Sequence, residues 1–198
     1  MRFLPLLLAL AAPAALAQDM SFQMDVPARG NDEVRASPNA VVGQTIGTTD
    51  VLVTYGRPSV RERLVFGDSA AQALVPFGEV WRTGANEATT IHFSAPVRVE
   101  GEAVDAGTYA LFTVPGETEW VLILNADAKQ WGGYNHDPEQ DVLRSTVSAT
   151  SIPNVEQLTF GFEDVMEESA EVVLQWADRE VRFTVEPAMV AMDDEAGE

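Results

Sequence analysis

Alternation of apolar and polar residues with a period of two runs through most of the chain and limits it to a β fold. In the segment Val51–Tyr55 the odd-numbered residues form one apolar face. Because successive side chains of a strand point to opposite faces, this period is typical of strands with one buried side. The same pattern recurs in several other segments: Ile91–Phe93, Leu158–Phe162, Val172–Trp176 and Val181–Val185.

Two segments are apolar on both faces, which is typical of strands at the centre of a sheet. They are Thr108–Val114 and Trp120–Asn125. Pro115–Glu119 between them carries proline and glycine, the residues of a tight turn. The sequence therefore predicts that these two strands pair as a hairpin.

Turn residues recur along the chain and predict about nine or ten short strands in one domain. The predicted fold is all-β, a single antiparallel β-sandwich of jelly-roll character over residues 39–187. Ser59–Asp68 and Ser69–Gly78 are the only helical candidates, which gives one or two short helices. Residues 18–38 lack an apolar period and indicate a flexible leader arm, and residues 188–198 form an acidic tail.

The first 17 residues have the features of a secretory signal peptide. Arg2 precedes an apolar run, and Ala15-Leu16-Ala17 provides a small-x-small cleavage site before Gln18. The run is shorter than the roughly 20 residues of a membrane-spanning helix, so no membrane span is predicted. We expect a secreted or periplasmic protein, and the absence of cysteine excludes a lipid anchor on cysteine.

The charge of the chain bears on its partners. There are 31 acidic residues against 12 basic ones, and Lys129 is the single lysine. Such a surface repels phosphate backbones, so nucleic acid is not an expected partner. The chain has no dinucleotide or phosphate-binding motif and two histidines, and we predict neither a cofactor nor a metal. Calcium is an alternative that would use oxygens of Asn125, Asp127, Asp137 and Asp141.

The segment Val80–Ser94, VWRTGANEATTIHFS, concentrates polar side chains around a predicted hairpin turn. Arg82 and Glu87 flank the turn, so an ion pair between them is one interpretation, with Asn86 or Gly84 in a left-handed conformation. The other interpretation makes Arg82 a bidentate clamp for a ligand carboxylate or sugar hydroxyl. Arg82, Asn86 and Glu87 are therefore candidate binding residues.

A second group of polar and aromatic residues lies in Lys129–Arg144, KQWGGYNHDPEQDVLR. Two glycines between Trp131 and Tyr134 let a loop bend close to a flat ligand, and aromatic and polar side chains together suit sugar rings or peptides. The alternative is a loop whose aromatics pin it to the core. The candidate binding residues here are Trp131, Tyr134, Asp141 and Arg144.

Two further candidates lie on or beside strands. Arg57 comes where a strand ends before Pro58, close in sequence to two other arginines, and such a group either meets an anion or neutralises neighbouring acid. His92 lies on the polar side of its strand, so it is either exposed or, if that side lines a pocket, a base that titrates near neutral pH.

Several of these motifs resemble a known bacterial family, domain of unknown function 2911. The resemblance covers Asn39 to Glu186, and WRTGANEATT is its most specific part. It implies exported, mostly β proteins without an established activity, and it assigns no catalytic residue. Many relatives are aromatic or charged at Asn135-His136, so the resemblance does not make His136 essential. The matching stretches are IGTTDVLVTYGRPSV, FGD, LVPFGEVWRTGANEATTIHFS, AGTYALFTVPGETEWVLILN, WGGYNHDPEQDVLR and VVLQW.

Three functions remain open from the sequence. The first is a binding module for a carbohydrate or small polar ligand. In it, the turn around Arg82 (the arginine-bearing turn) and the loop around Gly132 and Gly133 (the double-glycine loop) meet at one end of the sheet. The second is an envelope structural or assembly protein without a ligand site. The third is a hydrolase that uses Glu87 with Asp137 or Asp141, which requires two carboxyl groups about 5–9.5 Å apart. The oligomeric state is left open.

Overall fold

A computed structural model describes residues 34–188 of the chain. The predicted signal peptide and all but the last few residues of the leader arm lie outside the described residues. So does the acidic tail after Ala188. No helix in the described part is long or apolar enough to cross a membrane.

The described residues form an antiparallel all-β fold, as the alternation predicted. One sheet holds nine strands in the order β1-β2-β5-β8-β9-β10-β11-β6-β7, and β3 and β4 form a short parallel pair. The strands are β1 Asn39–Ile46, β2 Thr49–Gly56, β3 Phe66–Gly67, β4 Val75–Pro76, β5 Thr89–Phe93, β6 Val97–Val99, β7 Glu102–Val104, β8 Gly107–Val114, β9 Glu119–Asn125, β10 Asp141–Glu163 and β11 Ala170–Pro187.

The hairpin predicted between the two apolar segments is confirmed. β8 and β9 pair antiparallel from Val114 opposite Val121 to Ala110 opposite Asn125. Both strands lie in the middle of the sheet order, and four of the eight residues of β8 and five of the seven of β9 are buried. Apolar residues on both faces are therefore explained by cover on both sides.

The expectation of uniformly short strands is wrong for β10 and β11, which have 23 and 18 residues. The first part of β10, Asp141–Ser148, pairs with β9, and the rest pairs with β11. The register shifts between Ser151 and Val155 and again before Thr159. Pro153 lies in the first shift, where a residue without an N–H cannot continue the ladder. Because of these irregularities, one long strand serves both halves of the sheet.

The sheet folds over its larger hydrophobic cluster, where the residues after β2 contact the second half of β10. Ser59 forms a bridge with Gln157, and the Phe160 N–H donates to the Tyr55 hydroxyl at 3.1 Å. Four aromatic rings meet inside, with the closest centroids 4.9 Å apart. They are Phe66, Trp81, Trp120 and Trp176.

The two predicted helices do not form. Ser69–Ala71 makes a single 3-10 turn, and it ends at Gln72 with a left-handed φ of 58°. On either side, Phe66 and Val75 pair as the buried residues of β3 and β4. Burial of these two apolar side chains outweighs a weak local helix propensity, since segments this short make marginal helices.

Candidate functional site

The segment around Trp81 is an irregular turn and does not form the predicted hairpin with β5. Trp81 pairs with Thr113 of β8 through two backbone hydrogen bonds of 2.8 and 2.9 Å. Thr83 and Asn86 both have left-handed φ angles, 51° and 66°. Asn86 thus has the left-handed conformation that was predicted for Asn86 or Gly84. Thr83 is a second left-handed residue, and it turns the chain away from regular pairing of two strands.

Glu87 pairs with Arg35 and not with Arg82, so the predicted ion pair across the turn is wrong. The Arg35 Nη1 lies 2.7 Å from the Glu87 Oε2, with both side chains 22% exposed. On the backbone, Glu87 forms a bridge with Trp131. Arg35 lies within the predicted leader arm and fastens that segment to the turn.

The arginine-bearing turn and the double-glycine loop lie side by side. The Ala88 N–H donates to the Gln130 carbonyl at 3.0 Å, and the Gly132 N–H donates to the Asn86 carbonyl at 3.3 Å. Gly133 packs against the other end of the turn, where an added Cβ would lie 3.0 Å from the Val80 carbonyl oxygen. Only glycine allows this approach without displacing backbone.

A cavity of about 330 Å³ opens where these two segments meet. Its polar members include Arg82, which is half-buried, and Tyr134, which is 93% exposed. Burial lowers the pKa of Arg82, and the nearby Tyr134 partly counteracts that effect. The lining residues are Leu74, Val75, Pro76, Glu79, Val80, Trp81, Arg82, Gly133 and Tyr134.

This cavity is not lined by the other candidates of the two segments: Asn86, Glu87, Trp131, Asp141 and Arg144. Trp131 is 59% exposed and follows the buried Gln130. Asn86 donates from Nδ2 to the Ser37 carbonyl at 3.1 Å, which leaves its side chain committed to the turn. A larger depression of about 750 Å³ between Met166–Ser169 and Glu186–Ala188 contains none of the candidate residues.

Asp141 is the centre of a separate hydrogen-bonded cluster. Its side chain is 3% exposed and accepts from Asn125 Nδ2 at 2.8 Å, from Arg144 Nη1 at 2.7 Å and from His136 Nε2 at 2.8 Å. Burial on its own raises the pKa of this carboxyl, but the three hydrogen bonds outweigh burial and hold the pKa below its ordinary value. Asp141 therefore stays ionised and anchors both ends of the loop.

Sequence reasoning did not assign two members to this cluster, and it considered Asn125 only as a calcium ligand. Asn125, at the end of β9, is fully buried, and its Oδ1 accepts from the Gln130 Nε2 at 2.8 Å. His136, set aside in the sequence, has a side chain 8% exposed and packs edge-on against Phe112 at 5.1 Å between centroids. The signal available in the sequence was Asn125 itself, a single amide at the end of the apolar segment Trp120–Asn125.

The oxygens considered for calcium are already hydrogen-bond acceptors. Asp127 Oδ1 accepts from the Lys129 N–H at 3.1 Å, and Asp137 Oδ1 accepts from the Glu139 N–H at 3.0 Å. Within residues 34–188 no group of three or more histidine and acidic residues has a metal-binding arrangement. These carboxylates shape the loop as turn and cap residues.

Arg57 and His92 lie apart from the cavity. The Arg57 Nε donates to the Leu158 carbonyl and its Nη2 to the Thr159 hydroxyl, both at 2.9 Å. His92 Nδ1 lies 2.9 Å from the Thr108 hydroxyl of the neighbouring strand. Both side chains join strands to each other, and neither lines the space beside Arg82.

The carboxylates proposed for a hydrolase are poorly suited to general acid chemistry. A general acid near neutral pH needs a raised pKa, whereas the pKa of Asp141 is lowered. Glu87 is engaged by Arg35, and Asp137 caps a 3-10 turn. In the described residues these carboxylates act as ion-pair and hydrogen-bond partners within the scaffold.

The family described as "Protein of unknown function (DUF2911)" matches residues 37–185, which is most of the chain. No curated protein and no solved structure matches the chain.

Proposed function

This chain belongs to the DUF2911 family, whose description assigns no activity, and we propose that it is an exported module that binds a small polar ligand. The observation that carries the proposal is the cavity formed jointly by the arginine-bearing turn and the double-glycine loop. A ligand site usually combines an apolar lining with few polar groups. Here Leu74, Pro76 and Val80 supply the apolar lining, and Arg82 supplies a polar group.

The rigid mounting of the cavity supports this proposal. One wall is fixed by the bridge between Trp81 and Thr113, and the other by the bridge between Glu87 and Trp131. The buried cluster around Asp141 holds the base of the loop. A site whose walls are held by the scaffold loses little entropy on binding.

Export is the part of the proposal that rests on residues 1–17. Expression of the full chain in a bacterium should yield a mature protein that begins at Gln18 and is found outside the cytoplasm. Amino-terminal sequencing of the fractionated protein measures this. Recovery of the uncleaved chain in the cytoplasm would remove export from the proposal and leave the binding site untouched.

Binding is tested by thermal-shift titration with a panel of neutral monosaccharides, sugar acids and small organic acids. We expect at least one compound to raise the melting temperature, because a ligand of the native state stabilises it. Tyr134→Ala should weaken the affinity about five- to tenfold, since the aromatic ring lines the cavity. The exposed side chain should leave the variant as stable as the parent.

Met166→Ala serves as the control, because Met166 is exposed and lies outside this cavity. It should bind the active compound with the parent's affinity. An affinity that Tyr134→Ala leaves unchanged would contradict the proposed site. If no compound of the panel binds, the exposed Trp131 and Tyr134 favour the alternative of an assembly surface.

A further inference from the structure

Arg82 differs from every other half-buried arginine in residues 34–188 because its guanidinium has no partner. Within the described part of the chain it makes no side-chain hydrogen bond or ion pair, and its Nε is buried without an acceptor. The Arg179 Nε is also buried without an acceptor, but its Nη1 donates to the Asp178 carboxylate. The comparison set donates to carbonyls, hydroxyls or carboxylates: Arg35, Arg57, Arg179 and Arg182.

A half-buried cation without a partner is unfavourable in the protein alone. Burial removes water from the guanidinium, which is the reason that the pKa of Arg82 is lowered. An arginine nevertheless stays protonated, so the positive charge and its unfilled donors persist at neutral pH. An acceptor with negative charge would satisfy both.

The surroundings of Arg82 leave room for such an acceptor. An added Cβ at Gly132 would lie 3.9 Å from Nη1, so glycine keeps that end of the guanidinium clear of a side chain. Nε is closed to solvent, and an incoming group therefore meets the Nη end first. Glu79 also lines the cavity, but it is exposed, and water screens its charge.

We propose that the ligand is a small carboxylic acid whose carboxylate pairs with the Arg82 guanidinium and whose body packs on the apolar wall. This rests on the proposed function, because it names the ligand class of the same cavity. Guanidinium and carboxylate match in planar geometry and pair through two hydrogen bonds. A cavity of about 330 Å³ suits a ligand no larger than a monosaccharide or a single aromatic ring.

The test uses two matched pairs of probes in calorimetric titrations of the mature protein. Glucuronate is compared with glucose, and phenylacetate with phenylacetamide, so that each pair differs in the carboxylate. We expect one acid to bind at least about tenfold more tightly than its neutral partner. Arg82→Met should abolish that preference, and Arg82→Lys should retain part of it, because lysine keeps the charge without the planar fork.

Two further measurements distinguish a role of Arg82 in ligand binding from a purely structural role. Without ligand, Arg82→Met should unfold at the parent's melting temperature or above it, since the variant removes an unpaired buried cation. Glu79→Gln should tighten binding of the acid by no more than about twofold, because it removes a like charge that water already screens.

The outcomes distinguish the two proposals. Acid and neutral partners that bind equally well, with Arg82→Met unaffected, would overturn the carboxylate assignment and leave the binding module intact. If none of the four probes binds, the ligand class is overturned, and the broader panel then decides whether the cavity binds anything. An acid preference that survives in Arg82→Met would also overturn the assignment.

Discussion

Replacing Gly56 with alanine should lower the free energy of unfolding by about 3 kcal/mol or more. The alanine Cβ would lie 2.3 Å from the Ala85 carbonyl oxygen and 3.1 Å from its carbon. Both contacts are with backbone, so no side-chain rotation relieves them. The Ala85 N–H also donates to the Gly56 carbonyl at 3.3 Å, and separation of the two segments breaks this bond as well. Urea denaturation followed by circular dichroism measures the change.

Gly161→Ala is the matched control for that substitution. Gly161 lies in β10, and nothing lies within 4 Å of an added Cβ. Alanine should therefore leave the unfolding free energy unchanged or raise it by about 0.5 kcal/mol, because it restricts the unfolded chain. Equal losses in the two variants would contradict the close approach of the Trp81–Glu87 turn to the end of β2.

Replacing Asp141 with alanine should lower the free energy of unfolding by about 3 kcal/mol at neutral pH. The substitution leaves the buried donors of Asn125 and His136 without their acceptor, and Arg144 loses its ion pair. The loss should appear first in the double-glycine loop, which Asp141 anchors. Hydrogen exchange of the Trp131–His136 amides locates it, and denaturation gives its size.

The same residue should make stability depend on acid. The pKa of Asp141 is lower in the folded protein than in the unfolded chain. Its contribution is therefore complete above the unfolded value of about pH 4 and is lost as the pH falls through the lower folded value. Asp141→Ala should show a smaller decrease of stability over that range than the parent protein.

The ion pair between the exposed Asp178 and the half-buried Arg179 provides a control for both measurements. Asp178 is 61% exposed, and its contact with Arg179 spans adjacent residues. Asp178→Ala should change the unfolding free energy by less than about 0.5 kcal/mol. If Asp141→Ala were equally mild, the cluster at the base of the loop would be dispensable.

The strands were predictable because burial on one face leaves a period of two in the sequence. β8 and β9 were recognised together with their turn, since a short loop between two apolar segments leaves few alternatives. The length of β10 was not predictable, because register shifts around Pro153 interrupt the alternation within one continuous strand. The absent helices show burial of Phe66 and Val75 overriding local propensity.

The candidate site was predictable at the level of segments and not of contacts. Local motifs identified the arginine-bearing turn and the double-glycine loop, and the structure sets them side by side. The predicted partner of Glu87 was wrong, because the actual partner, Arg35, is 52 residues away and no local sequence pattern indicates such a pair. The burial of His136 was not predictable from the sequence, because it depends on packing against Phe112 of β8.

The single lysine of the chain lies at the base of the loop that lines the cavity. Lys129 is exposed, and its backbone N–H is held by the Asp127 carboxylate. Apart from the amino terminus, it offers the chain's only primary amine, and the chain has no thiol. An amine-reactive fluorophore will therefore label this position without any engineered residue and will report directly on movements of the neighbouring Trp131.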